Sequence, residues 1–242
     1  MSNDQRVPAY QFFVVDLITL VFEMAIYFAI LALPATWLTS LASERPLVAL
    51  CVVIVSIPFA VLLFIVLLVG IKRLLVGEVP IGRFMLTSPR ARRWIVADRL
   101  VKIMIRSPFR SLINEMAFFR FLFYRGMGAR IDATLLLGNG VKLPEPWALS
   151  IGKHVHLGDE AVLSGHKVER NVVTLDTIEI GNQVLVGART IVFPGVKIGD
   201  GAVIGANSVV TRGTEIGAGE TWSGNPARKI DLREQFFGGS RN

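Results

Sequence analysis

The sequence contains a single cysteine, Cys51, and few charged residues. A lone cysteine excludes an intrachain disulfide, and with it the class of small secreted domains that disulfides stabilise. Charged residues make up only 19% of the 242 residues while apolar residues make up 52%, a balance that excludes intrinsic disorder. The sequence also lacks a Gly-x-Ser-x-Gly motif, so a covalent serine mechanism has no support. The apolar surplus must lie in a membrane or in an unusually large core.

Acidic residues are scarce between residues 72 and 110. This segment holds Glu78 and Asp98 against ten lysines and arginines, so it carries a charge of +8, while the whole chain carries +7. Such a basic segment suits either nucleic acid or anionic lipid headgroups. Because it begins directly after a long apolar run, we expect anionic lipid as the partner and no nucleic acid.

Two long apolar runs, at about 12–37 and 47–71, precede the basic segment. Each exceeds the roughly 20 residues that cross a bilayer as a helix. The short connector, 39–46, predicts a transmembrane helical hairpin, and the length of the first run argues against a cleaved signal peptide. Only one basic residue lies in the connector, whereas ten follow the second run. This bias predicts a multi-pass protein of the inner membrane, with everything after residue 72 facing the cytoplasm.

The first apolar run contains two acidic residues, Asp16 and Glu23, at a spacing that places them on one helix face. Ionisable groups inside a membrane are functional candidates by default. Two interpretations stay open at this stage. Either Asp16 reaches the interface and Glu23 lines a helix–helix contact, or the two carboxyl groups touch a lipid or acyl chain.

Basic and apolar residues alternate at helical spacing through the region 77–128, and Pro108 divides the pattern into two helices. The second of these is rich in phenylalanine and runs to Gly126. Basic and aromatic residues on amphipathic helices are typical of helices that lie in the plane of a membrane surface. The pattern therefore predicts a basic amphipathic interfacial region, with ordinary helices packed on the next domain as the alternative.

From residue 129 to 231 the sequence repeats every six residues, ahead of a short tail at 232–242. Positions 180, 186, 192, 198, 204, 210, 216 and 222 are all apolar, and glycine follows in five of the eight cases. A parallel β-helix has such a period, because glycine tolerates the turns that end its short strands. Two extra residues lie between Leu143 and Ile151, and 17 residues separate Leu163 from Ile180. We expect the second irregularity to be an extruded loop.

These repeats resemble those of the hexapeptide-repeat acyltransferases, over roughly residues 129–231. The most specific matches are Ile180–Gly187, Pro194–Thr211 and the closing Gly224–Ala227. The resemblance implies an all-β, left-handed parallel β-helix with three strands per coil, here preceded by the transmembrane hairpin and the amphipathic helices. The hairpin, the basic segment and the run 166–170 look like a narrower group, the C-terminal membrane acyltransferase-like region of synthetases that make poly-lysine-type polymers.

The resemblance also implies a site. In the family an extruded loop carries a histidine that acts as the general base, and His166 looks like that histidine here. Glu169 would orient the His166 imidazole. Coenzyme A would lie between neighbouring β-helices of a homotrimer, and no metal is expected. The residues matching the family's coenzyme A contacts are Ala188, Ala206, Thr211, Arg212 and Arg228.

The sequence therefore predicts a membrane-anchored acyltransferase. It would move an acyl group, acetyl before others, from coenzyme A to a hydroxyl or amine of a membrane-associated acceptor such as a lipid-linked glycan. Three alternatives stay open: transfer of an aminoacyl or acyl group from a carrier-protein thioester to an amine, a zinc hydratase built on His154, His156 and His166, and a non-catalytic trimeric membrane scaffold.

Overall fold

The computed structural model describes residues 17, 20–21, 23–28, 30 and 41–230. Within these ranges one helix, Pro46–Val76, is long and apolar enough to cross a membrane. Its α-helical part, α1 (Pro46–Ile71), matches the second predicted span and is about 39 Å long, more than the roughly 30 Å of a hydrocarbon core. The described residues do not include most of the first predicted span, with Asp16 in it, or the tail at 232–242.

A short helical region connects α1 to the β-helix. The last turn of the apolar helix is π-helical (Lys72–Val76) and ends at Gly77, whose φ of 64° few other residues adopt. Ser88 caps the second helix, because its Oγ accepts a hydrogen bond from the Ala91 amide at 3.2 Å. The elements that follow α1 are β1 (Gly82–Met85), α2 (Pro89–Arg106), α3 (Arg110–Glu115) and α4 (Ala117–Gly126).

Helix α2 packs on the rest of the protein. Its apolar side chains are buried in two clusters: Trp94 packs with Val173 and Leu175, while Val101 and Met104 join the main core. Because other parts of the chain cover its apolar face, α2 fits the alternative interpretation, an ordinary helix packed on the next domain. Helix α4 differs, since it exposes Phe118 and Phe121, and Met116 directly before it is exposed as well.

The chain from residue 130 onward winds into a parallel β-helix with three faces, as predicted. Strands 18 residues apart pair in parallel, for example Val186 with Ile204. The first face contains β2 (Arg130–Ile131), β4 (Leu149–Ile151), β9 (Ile178–Ile180), β12 (Lys197–Ile198) and β15 (Glu215–Ile216). The second contains β3 (Leu136–Leu137), β5 (His156–Leu157), β10 (Leu185–Val186), β13 (Val203–Ile204), β16 (Thr221–Gly224) and β17 (Ala227–Lys229). The third contains β6 (Val162–Leu163), β11 (Ile191–Val192) and β14 (Val209–Val210).

The six-residue period places one apolar side chain per strand inside the β-helix. Ile180, Ile198 and Ile216 stack in this way along the first face, and all three are buried. The glycines that follow these positions let successive coils approach closely at the corners. A Cβ on Gly158, for example, would lie 2.6 Å from the Ala188 amide nitrogen.

The 17-residue irregularity is a β-hairpin rather than the expected loop. Strand β7 (His166–Glu169) pairs antiparallel with β8 (Val172–Leu175), and β1 pairs with the other edge of β8. The two turn residues, Arg170 and Asn171, have φ angles of 45° and 65°, and positive φ at both positions is typical of the type I′ turn that suits a two-residue hairpin. Helix α2 packs on this three-stranded sheet, so the hairpin lies between α2 and the β-helix.

Candidate active site

The two irregularities of the repeat meet at one corner of the β-helix, where the third face turns into the first. Glu145 lies in the first irregularity and Gly165 begins the second. The Glu145 Oε2 accepts a hydrogen bond from the Gly165 amide at 3.0 Å. Residues inserted at the same turn of successive coils come together because the coils stack. This corner therefore differs from the regular corners of the β-helix.

His166 and Glu145 form the centre of this corner. The His166 Nδ1 lies 2.6 Å from the Glu145 Oε1, and the Glu145 side chain is fully buried while that of His166 remains 30% exposed. Ser164 supports the arrangement, because its hydroxyl donates to the His166 carbonyl oxygen at 3.1 Å. With Nδ1 facing a carboxylate, Nε2 is the nitrogen left to exchange a proton with a substrate.

The surroundings of His166 favour its protonated form. The hydrogen bond with Glu145 is the main cause that raises the pKa of His166, and burial of the ring opposes it. The charges of Glu145 and Asp98 raise the pKa further, while the charge of Lys102 lowers it. A histidine held by a buried carboxylate can take a proton from an attacking group and stabilise the resulting imidazolium.

Glu169 does not serve as the partner of His166, and that prediction is wrong. Both residues lie in strand β7, where residues three apart point to opposite faces. The Glu169 carboxylate lies 2.7 Å from the Lys167 Nζ, and this contact lowers the pKa of Glu169. The carboxylate beside His166 is Glu145, which sequence reasoning missed.

Helix α2 forms the other wall of the site. The ring of Trp94 contacts that of His166, with 5.1 Å between their centroids and 53° between their planes. Asp98 lies one helical turn further on and is buried. These residues were missed because their sequence spacing shows only an amphipathic helix, which does not tell what the helix packs against.

The five residues matched to coenzyme A contacts lie along the edges of the third face and beside it. Ala188 and Ala206 follow β10 and β13 at the corner between the second and third faces. Thr211 and Arg212 follow β14 at the opposite edge, on the corner that also carries His166. Arg228 lies in β17, where its Nη1 donates to the Ala227 carbonyl at 3.1 Å.

The three histidines do not form a metal site. His154 lies in a turn and His156 is exposed on the second face, whereas His166 lies at the corner beyond the third face. Within the described ranges no group of three or more histidine, cysteine, aspartate or glutamate side chains is arranged to hold a metal ion.

Comparisons with known proteins agree with the repeat. Residues 177–212 match a family described as the hexapeptide repeat of succinyl-transferase. Over 186 residues, 72% of the chain, the sequence is 28% identical to the delta-poly-L-ornithine synthetase of Acinetobacter baumannii. That match spans only 14% of the length of the synthetase.

Solved structures with a similar fold include two acetyltransferases. One is a maltose O-acetyltransferase from Clostridium difficile, with a TM-score of 0.48, 19% identity, and coverage of 62% of this chain and 91% of the other. The second is a hexapeptide-repeat acetyltransferase from Vibrio cholerae in complex with acetyl-CoA, with a TM-score of 0.40, 18% identity, and coverage of 61% and 91%.

The chain is thus similar to hexapeptide-repeat acyltransferases, as the sequence motifs indicated.

Proposed function

We propose that this protein is a membrane-anchored acyltransferase that moves an acetyl group from acetyl-CoA to a hydroxyl or amine of a membrane-associated acceptor. The observation that carries the proposal is the pair formed by His166 and the buried Glu145. The pair lies at a corner of a β-helix whose repeat matches a transferase family. A non-catalytic scaffold has no need of a buried carboxylate facing a half-exposed imidazole.

In the proposed reaction His166 acts as the general base, and each proton and each bond is accounted for. As the acceptor oxygen or nitrogen attacks the thioester carbonyl, the His166 Nε2 takes the acceptor's proton. The tetrahedral intermediate then breaks its carbon–sulfur bond, and the imidazolium returns the proton to the departing thiolate. Glu145 stabilises the imidazolium between these steps, and a positioned base of this kind contributes roughly 10²–10⁴-fold to the rate.

A homotrimer would complete the site by placing coenzyme A between neighbouring β-helices. The third face presents Val162, Ile191 and Val209, with Lys142 at its start, and the second face presents Leu185 and Val203 beside His156. The first face presents mainly charged side chains, namely Arg130, Glu179, Lys197 and Glu215, with Ser150 among them. Burying the two more apolar faces against other copies while the charged face stays in water is favourable.

The N-terminal region would hold the site at the inner face of a membrane as a two-helix hairpin. Ile26 and Ile30 pack in the same cluster as Phe64 of α1. Leu74, just after the end of α1, and Phe118 of α4 are exposed apolar residues that suit contact with lipid. Anionic lipid would bind the basic segment. In this arrangement the acceptor reaches His166 from the bilayer, as a lipid-linked glycan would.

A second candidate is transfer of an aminoacyl or acyl group from a carrier-protein thioester to an amine. The similarity to a poly-ornithine synthetase favours it, since a polymer of amino acids requires repeated amide formation. The same His166–Glu145 pair would serve, because a carrier thioester and coenzyme A present the same reacting group. The two candidates differ in the donor, in the group transferred and in whether a hydroxyl can serve as the acceptor.

The test is coenzyme A release by the detergent-purified protein, given acetyl-CoA and a membrane lipid extract. We expect thiol release and an acetylated product by mass spectrometry, and a loss of roughly 10²–10⁴-fold in the His166→Ala variant. His154→Ala is the matched control, because His154 is an exposed turn residue. Wild-type protein that neither releases thiol nor is stabilised against heat by acetyl-CoA would contradict the proposed donor.

A further inference from the structure

One face of α2 carries a charged pair close to the candidate active site. Trp94, Asp98 and Lys102 follow one another at four-residue spacing, so they share that face. Trp94 contacts the His166 ring. One turn further on, the Asp98 carboxylate is 10% exposed, and its Oδ2 lies 2.6 Å from the Lys102 Nζ, whose side chain is 47% exposed.

Because Asp98 is buried, its ion pair with Lys102 decides how strongly its charge acts on neighbouring groups. A carboxylate with little access to water and no partner of its own would attract the proton of the nearest imidazole. Three charged groups from two elements act on His166: Glu145 from the corner of the β-helix, and Asp98 and Lys102 from α2. The first two favour the imidazolium and Lys102 opposes it.

We propose that Asp98 and Lys102 are positioning residues that set the proton affinity of His166. In this arrangement Glu145 holds the ring and its Nδ1 proton, while Lys102 neutralises Asp98 so that the imidazole is not locked in its protonated form. The role rests on the proposed function in one respect. The proton affinity of His166 matters for acyl transfer because a general base must be unprotonated at the start of each turnover.

The same helix supplies a control for this proposal. Arg106 lies one turn beyond Lys102, and its Nη2 bonds the Glu23 Oε2 at 3.2 Å. This second ion pair repeats the charge arrangement of the first but lies two turns from Asp98 and faces the N-terminal helical residues. An effect specific to the neighbourhood of His166 will therefore follow Lys102 and not Arg106.

The experiment is a titration of His166 by NMR on the full-length protein in detergent, with ¹³C-labelled histidine. The chain has three histidines, so the His166→Ala variant assigns the signal. We expect Lys102→Met to move the midpoint to higher pH, because Asp98 then lacks its counter-charge. Asp98→Asn should move it to lower pH, because only the Lys102 charge remains. The double variant should return toward wild type, and Arg106→Met should leave the midpoint in place.

The pH profile of coenzyme A release gives a second readout. Its acid limb should move in the same opposite directions in the two single variants, and Lys102→Arg should restore the wild-type limb. A general loosening of α2 would shift both variants the same way, so equal shifts, or none, would overturn the proposal. Opposite NMR shifts in a protein that releases no coenzyme A would support the pair's effect on His166 and contradict the proposed reaction.

Discussion

At the scale of single residues, the site depends on one buried carboxylate. Glu145 is fully buried, and its two oxygens face the His166 imidazole and the Gly165 amide. A buried carboxylate costs free energy unless its partners satisfy it, so this position is used for more than packing. Its side chain fixes which imidazole nitrogen faces the solvent-accessible side of the corner.

Glu145→Gln should keep the shape of the corner while slowing acyl transfer by roughly 10- to 100-fold, the range expected for losing one charged hydrogen bond. The amide of glutamine can donate to Nδ1, which favours the tautomer with the remaining proton on Nε2 and so weakens the base. The measurement is kcat for coenzyme A release. Glu169→Gln is the matched control, and an equal loss in that variant would contradict the assignment of Glu145.

The same pair makes stability depend on pH. The pKa of His166 is raised in the folded protein, so the stabilisation is fully present below the ordinary histidine pKa and is lost as pH rises through the folded value. The melting temperature of Glu145→Gln should therefore lie further below that of the wild type in acidic buffer than in alkaline buffer. A difference in melting temperature that grows with rising pH would contradict this expectation.

At the level of residues, the sequence singled out His166 as the candidate base, which stays a prediction, but it did not single out Glu145, the carboxylate that the structure places beside His166. The resemblance implied Glu169 as the partner, but strand geometry turns Glu169 away from His166. The signal for Glu145 was present, since the two breaks in the six-residue repeat occur at the same turn of successive coils. Stacked coils bring such breaks together, whereas distance along the chain does not.

At the scale of elements, the sequence predicted the strands of the β-helix, which repeat every six residues, but not the pairing of the elements that lack this period. The six-residue period fixes the strands of the β-helix, because each period must place one apolar side chain inside. The hairpin of β7 and β8 carries no such period, and its pairing with β1, about 90 residues earlier in the chain, depends on tertiary contacts. For α2, amphipathicity gave the helix but not the surface that covers it.

Two glycines make a clear prediction about how α1 joins the rest of the protein. A Cβ on Gly126, at the end of α4, would lie 2.6 Å from the Val69 Cγ2 of α1, whereas a Cβ on Gly70 meets nothing within 4 Å. Gly126→Ala should therefore destabilise the protein by about 1–3 kcal/mol through overpacking. Gly70→Ala should be neutral or stabilising, because alanine favours a helix.

Thermal unfolding in detergent measures both variants. The double variant Gly126→Ala with Val69→Ala should recover part of the loss, because it removes the two methyl groups that collide. Equal melting temperatures for the two glycine variants would mean that α4 does not pack on α1 as the structure describes.

At the scale of the whole molecule, the three faces of the β-helix differ in what they offer a neighbour. The third face presents a ladder of Val162, Ile191 and Val209, and the residues matched to coenzyme A contacts lie along its edges. The first face presents Glu179 and Lys197 instead. A site that lies between chains would therefore be lost together with the assembly.

Ile191→Glu should convert the proposed trimer to monomers, because a carboxylate at the centre of the apolar ladder would be buried without a partner. The measurement is the protein mass in detergent by light scattering, together with coenzyme A release. Glu179→Lys, on the charged first face, is the matched control and should keep both mass and activity. We expect the Ile191 variant to lose activity with its His166 corner intact, since in the proposed trimer the neighbouring chain would supply one wall of the coenzyme A groove. A monomeric variant with full activity would place the whole site within a single chain and contradict the shared groove.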